Sequence, residues 1–241
     1  MPNHQLLDNI NHKNVHVMTE HKPEFGDNHS YSHVFISEFR DVQAHYPIFF
    51  QKNPQTGQFE AIALFGLADE ENLFLDDSGW NASYVPLSIQ RRPFLIGFQE
   101  KIEDGVVSEE PVIHIDMDSP RISDSQGEAV FLPQGGQSPY IQKVAAILMT
   151  IDQGHEDTKS FIETLLQHDL LEAVKVDIML DDESKLSMDF LYTINEEEVA
   201  QLSAEVAADL HRSGYLKAIH MILASMPNMS HLIALKNRQL K

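Results

Sequence analysis

The stretch from Ile48 to Phe65 reads IFFQKNPQTGQFEAIALF. Two apolar runs, Ile48 to Lys52 and Phe59 to Phe65, flank Asn53-Pro54-Gln55-Thr56-Gly57. Aromatic and β-branched residues suit a pleated surface, and Asn, Pro and Gly in close succession suit a turn. Two such runs around such a turn predict a β-hairpin. Outward from it the first half keeps the same character. Val15 to Met18, Tyr84 to Pro86, Phe94 to Phe98, Val112 to Asp116 and Ala129 to Leu132 read as further strands. Their spacers carry Asp, Gly, Ser and Pro. Residues 1–14 read as polar, loose chain, and Glu20 to Ser32, with Pro23, Gly26 and Asn28, as loop. Ser37 is placed to cap a short helix that Pro47 stops.

The pattern changes at Gly135-Gly136. Ser138 caps an expected helix with Pro139 in its first position, where a missing N–H does no harm. Ile141, Val144, Ala145, Leu148 and Ile151 recur at helical spacing, and Gly154 is expected to end the helix. Thr158 to His168 reads as a second helix. Ala173 to Met179 and Leu186 to Tyr192 read as strands around Asp181-Asp182-Glu183-Ser184. Asn195, followed by Glu196 to Glu198, opens a helix expected to run to Ser213 and stop at Gly214. Leu216 to Ala224 fits strand or helix. Ser225 and Pro227 begin a last helix that ends in Lys236, Arg238 and Lys241. The expected class is α+β, a β-rich N-terminal half packed with a helix-rich C-terminal half. It forms a single domain over 1–241, with subdomains 1–136 and 137–241.

Composition narrows the function. At 42% hydrophobic, 241 residues hold enough apolar surface for a folded core. Seventeen Lys and Arg stand against 37 Asp and Glu, a net charge of −20, which repels phosphate backbones and anionic leaflets. We therefore expect no nucleic acid partner. With no cysteine, disulfides and thiolate zinc sites are excluded. No apolar run approaches the ~20 residues that span a bilayer, and no basic-then-apolar start resembles a signal peptide. The expectation is a cytoplasmic protein without membrane insertion.

The chemistry-bearing patterns are weak. His114-Ile115-Asp116 has the His-x-Asp spacing of non-haem iron sites, with His155, His168 or His211 as a distant third ligand. Composition alone supplies about two His-x-acid matches, and the chain has two, so a hydrogen-bonded strand histidine is the simpler reading. His12 and His16 have helical zinc spacing, but Val15 and Val17 favour a strand there. Asp76-Asp77-Ser78-Gly79-Trp80 resembles the start of a calcium loop but places Leu87 where the closing Glu belongs. No phosphate-binding glycine loop or nucleophile elbow occurs. We expect no cofactor and no metal, with His114 and Asp116 as the only metal candidates. The best binding candidate is the segment with Trp80, Tyr84, Arg91, Arg92 and Phe94, because Trp, Tyr and Arg anchor interfaces.

Several elements in order resemble one family. They are His12 to Val17, Glu38-Phe39, Tyr46-Pro47-Ile48-Phe49-Phe50, Ala63 to Leu67, Asn72-Leu73-Phe74, Gly79-Trp80, Tyr84-Val85-Pro86 and Arg91-Arg92-Pro93-Phe94. Gly127, Phe131, Gly135, Thr158, Phe161, Leu202, Leu210, Gly214, Leu216, Ser225 and Leu232 continue the series. Together they resemble the bacterial SapC family. The resemblance implies a bacterial protein linked by name to a surface layer, with relatives set beside halogenase-like enzymes and outer-membrane receptors. It carries no agreed catalytic residue. Two readings stand. The first is a non-enzymatic binding or accessory factor of a surface-layer or transport system, with a protein or peptide partner or a second copy of itself. The alternative is an enzyme, or an enzyme's obligate companion, acting on a small molecule or peptide, such as a metal-dependent oxygenase or a halogenase-associated protein.

Overall fold

The Asn53 side chain organises the predicted turn. Its Oδ1 accepts from the Gln55 and Thr56 amides at 2.9 and 3.2 Å, and Gly57 adopts φ +71° to close the loop. The computed structural model describes residues 3–103 and 106–240. Among these, the strands in chain order are β1 (His4–Leu6), β2 (His16–Val17), β3 (Tyr31–His33), β4 (Ile48–Lys52), β5 (Phe59–Leu64), β6 (Leu75–Asp76), β7 (Gly79–Trp80), β8 (Phe94–Glu103), β9 (Val106–Asp116), β10 (Ile122–Ser123), β11 (Glu128–Ala129), β12 (Leu171–Met179) and β13 (Lys185–Ile194). The helices are α1 (Phe39–Val42), α2 (Leu87–Gln90), α3 (Pro139–Gln167), α4 (Glu196–Ala200), α5 (Ala204–Ser213), α6 (Tyr215–Ser225) and α7 (Asn228–Gln239). The protein is α+β, with strands mainly in its first half and helices mostly in its second.

The chain forms two compact units. The first holds residues 1–27 and 87–152, the second 28–86 and 153–241. The α3 helix passes from one into the other.

In the first unit, β8 and β9 make a long antiparallel hairpin, with Phe94 opposite Ile115. The edge strand β1 joins β9, His4 facing Asp116. The small strands β10 and β11 flank β2. Val15, Val17, Phe94, Ile115 and Val130 pack with Ile141, Val144 and Leu148 from the start of α3. Each such side chain contributes roughly 1.5–3 kcal/mol when fully buried. Gly127 closes over β2 so tightly that a Cβ there would lie 2.3 Å from the Val17 carbonyl oxygen.

In the second unit a five-stranded antiparallel sheet runs β12-β13-β4-β5-β3. The expected hairpin is β4–β5, from Ile48 opposite Ala63 to Lys52 opposite Phe59. The β4 strand lies inside the sheet, and Ile48, Phe49 and Phe50 are all buried. That explains a continuous apolar run where a half-exposed strand would alternate. Phe161 of α3 packs edge-on to Phe39 and near Phe50. Ser225 of α6 accepts from the Ile48 amide at 2.9 Å and donates to the Ile222 carbonyl at 2.6 Å.

Several local expectations need correction. Gly154 does not end a helix: α3 runs on to Gln167 as one element. A Cβ on Gly154 would sit 2.9 Å from the Phe35 Cβ, so the glycine serves a close approach. Glu38, not Ser37, occupies the α1 N-cap, without a side-chain cap bond. Residues 195–213 hold two helices, because Ser203 caps a second one by accepting from Val206. His4–Leu6, within the expected loose start, and Tyr31–His33, within the expected loop, are strands. Tyr84 to Pro86 are not in a strand. Leu216 to Ala224 is helix. Lys241 lies outside the described residues. The stretch Tyr215–Gln239 is long and apolar enough to cross a membrane by length and composition, with a mean hydropathy of 1.3 over its 18-residue window. Here it turns at Met226 and Pro227, and α6 buries Ala218, Ile219 and Ile222.

Candidate functional site: a cation-lined cavity in the first unit

Arg121 sits in the short connection from β9 to β10, where Ser119 and Pro120 turn the chain. Its backbone carbonyl accepts from the Met18 amide at 2.9 Å, tying it to the end of β2. Its side chain is only 3% exposed. Nη1 donates to the carbonyls of Met18 and Glu20 at 2.8 and 2.9 Å, and Nη2 donates to Asp27 Oδ2 at 2.5 Å. The Phe25 ring lies 5.8 Å from its Cζ. Nε is buried and finds no hydrogen-bond partner among the described residues.

Asp27 is fully buried and collects these donors. Besides Arg121 it accepts from the Lys22 amide at 3.1 Å, and His21 Nδ1 lies 3.1 Å away. Burial alone pushes its carboxyl up. The His21 hydrogen bond, with the charge and hydrogen bond of Arg121, outweighs that and holds it below the ordinary 3.8.

Arg92 follows the short α2 helix, its amide donating to Ile89. It is half-buried, and its Nη1 donates to the Gly26 carbonyl at 2.7 Å. Gly26 ends a 3₁₀ turn at φ +80°, a conformation that glycine adopts without strain. Arg91 Nη1 donates to the Phe94 carbonyl at 2.6 Å. Among the described residues neither arginine pairs with a carboxylate. Burial pulls both guanidinium pKa values down, but so strong a base stays charged at neutral pH.

These groups border open space. A cavity of about 410 Å³ is lined by His21, Arg92, Arg121, Tyr140, Lys143 and Glu128, with Pro139 and Ile147 as apolar lining and the core residues Ile89 and Val144 behind. That size lies within the range of ~300–1,000 Å³ usual for ligand sites. A second cavity, about 290 Å³, is bordered by Arg91, Arg92, Arg121, Phe25 and Asp116. Burial pushes the Tyr140 phenol up to about 12, leaving it neutral and able to donate. In a chain of net charge −20 this concentration of cations runs against the average. A concave, partly apolar surface with such cations is chemically suited to anions, since desolvation strengthens each charge–charge contact there.

A scan of family models settles what the chain is related to: the SapC model matches residues 7–232. The chain belongs to the SapC family. No curated protein and no solved structure gives a significant match to it.

Of the candidate residues in this SapC-family protein, Arg91, Arg92 and Phe94 fall in the first unit, and Trp80 and Tyr84 in the second. Phe94 is fully buried core, edge-on to Tyr140. Trp80 Nε1 donates to the Tyr46 hydroxyl at 2.7 Å, which donates to the Tyr84 carbonyl at 2.5 Å. The Tyr84 hydroxyl donates to Glu38 Oε2 at 2.7 Å. That network ties together the Glu-Phe, Tyr-Pro-Ile, Gly-Trp and Tyr-Val-Pro elements of the SapC resemblance. His114 stacks on the side-chain-free face of Gly97, and Asp116 accepts from the Asp118 amide at 3.2 Å. Among the described residues no group of three or more His, Asp or Glu is gathered to hold a metal ion. His21, Asp27, Arg121, Tyr140 and Lys143 were not singled out from sequence. Only the basic pair Arg91-Arg92 gave a signal, and its partners lie far along the chain.

Proposed function

We propose that this SapC-family protein is a binding or accessory factor of a surface-layer or transport system. It receives an anionic group of a protein or peptide partner in the Arg92 cavity. What supports the reading is the half-buried Arg92, held by a carbonyl and not by a carboxylate, beside the buried Arg121 and the exposed Lys143. A guanidinium presents a rigid fork of donors suited to an oxyanion, and this one has donors to spare. The link to a surface layer comes with the family name.

The test is fluorescence anisotropy with a labelled Glu–Leu peptide and its Gln–Leu counterpart. The acidic peptide is expected to bind more tightly, less so at high salt, and about tenfold more weakly to Arg92→Gln, since a charged hydrogen bond is worth roughly 1.5–3 kcal/mol. Equal binding of the two peptides would overturn the reading.

One observation favours the enzymatic alternative. His21 lines the same cavity with Nδ1 3.1 Å from the buried Asp27 carboxylate. A carboxylate so placed orients an imidazole for proton transfer. Under that reading His21→Asn abolishes turnover of the bound anion but leaves its binding.

A further inference from the structure

The larger cavity is lined by three cations, Arg92, Arg121 and Lys143, and one carboxylate, Glu128. Arg121 is matched by Asp27, whose carboxyl is buried and ionised. Glu128 lies on the cavity wall and matches one of Arg92 and Lys143. One positive charge remains. A partly desolvated site is least strained when its ligand brings one compensating charge, since unpaired charge away from water is costly. A dianion would leave an excess negative charge facing the Glu128 side. The apolar part of the lining that a ligand can reach is Pro139, the Tyr140 ring and the edge of Ile147. Ile89 and Val144, at 1% exposure, are core residues that back this lining and keep it rigid. The Arg121 Nε–H, buried and without a partner among the described residues, is a further donor on a residue of the lining. Such donors are rare in native proteins and point to water, an ion or a ligand.

From this we infer that the cavity takes a monocarboxylate carried on an apolar stem. The inference rests on the anion-binding reading above and narrows it. Arg92 and Lys143 meet the carboxylate, and the stem lies along Pro139, Tyr140 and Ile147. Two sources offer that chemistry. One is the C-terminal carboxylate of a peptide ending in an apolar residue, and the other is a free organic acid.

Isothermal titration of the full chain distinguishes the cases. The probes are octanoate, octyl phosphate at a pH where it is a dianion, octanol, and a Leu-terminated peptide as free acid and as amide. Octanoate is expected to bind one per chain, at least about tenfold more tightly than octanol, as a lost charged contact implies, and more tightly than octyl phosphate, whose second negative charge faces Glu128. Lys143→Gln changes an exposed side chain and cannot compromise the core, so it carries the test should Arg92→Gln fold poorly. Both are expected to weaken octanoate, and Lys175→Ala, on the exposed face of β12, is not. Binding of the peptide acid but not its amide assigns the peptide source. Octanoate binding with a silent peptide pair assigns the free acid. Octyl phosphate binding as tightly as octanoate would overturn the monocarboxylate while sparing the anion site. Failure of every anion would overturn both.

Discussion

Asp27 and Arg121, ninety-four residues apart in sequence, meet with Arg121 Nη2 donating to Asp27 Oδ2 at 2.5 Å, both side chains almost completely out of solvent. The pair joins the loop after β2 to the connection between β9 and β10, and its Arg121 lines the Arg92 cavity. Breaking a buried pair by removing one charge is far costlier than the pair's net worth, because the survivor stays buried.

Asp27→Asn should therefore destabilise the protein by about 3–5 kcal/mol, read by chemical denaturation. The pH dependence follows from the lowered carboxyl. The fold favours the ionised form, so the contribution is complete above the ordinary value of 3.8 and is lost as pH falls through the lower folded value. Wild type should lose stability in that acid window, and Asp27→Asn should show a shallower slope there.

The Trp80–Tyr46–Tyr84–Glu38 network gives a second prediction. Tyr46→Phe removes the acceptor of the Trp80 indole and the donor to the Tyr84 carbonyl, at about 1–3 kcal/mol. Trp80 is the only tryptophan, so its emission should also shift in the folded variant. Burial raises the Tyr46 phenol, and burial with the nearby Glu38 charge raises Tyr84. The neutral forms are favoured, so their contribution is complete below the ordinary 10.0 and is lost as pH rises through the folded values. Phenolate absorbance from these two should appear only with alkaline unfolding.

Gly154→Ala provides a third. On helix propensity alone it would stabilise α3 by roughly 0.5–1 kcal/mol. The new methyl meets the Phe35 Cβ at 2.9 Å, and overpacking costs roughly 1–3 kcal/mol. The net effect should be a lowered Tm. A raised Tm would show that Phe35 yields freely.

Where sequence and structure agree, local chemistry and tertiary role coincide. Asn195 accepts from the Glu198 amide at 3.1 Å and Gly214 stands at φ +80°, as caps should. The Ser138 cap holds too, its hydroxyl accepting from the Ile141 amide at 3.2 Å. Where they differ, the deciding neighbour is remote. Gly154 carries the signal of a helix end, and only Phe35, far back in the chain, shows that it marks a close approach. His4–Leu6 is polar because it is an exposed edge strand held by backbone pairing with β9, which no hydrophobic pattern records. Ser203 caps α5 inside what periodicity reads as one helix. The cavity was legible only at Arg92. His21 and Asp27, Arg121, and Lys143 come from three separate stretches, and no spacing rule links them before the fold does.

The most direct test of anion recognition is a nitrogen-resolved NMR titration of the full chain with sodium octanoate, following arginine Nε–H and backbone amide signals. Saturable shifts are expected at the Arg92 and Arg121 side chains and at the Tyr140 and Lys143 amides, with Arg212 and Lys175 of the second unit unmoved. Silent Arg92 and Arg121 signals, or equal drift at the exposed Arg212 and Lys175, would contradict an anion site in the Arg92 cavity.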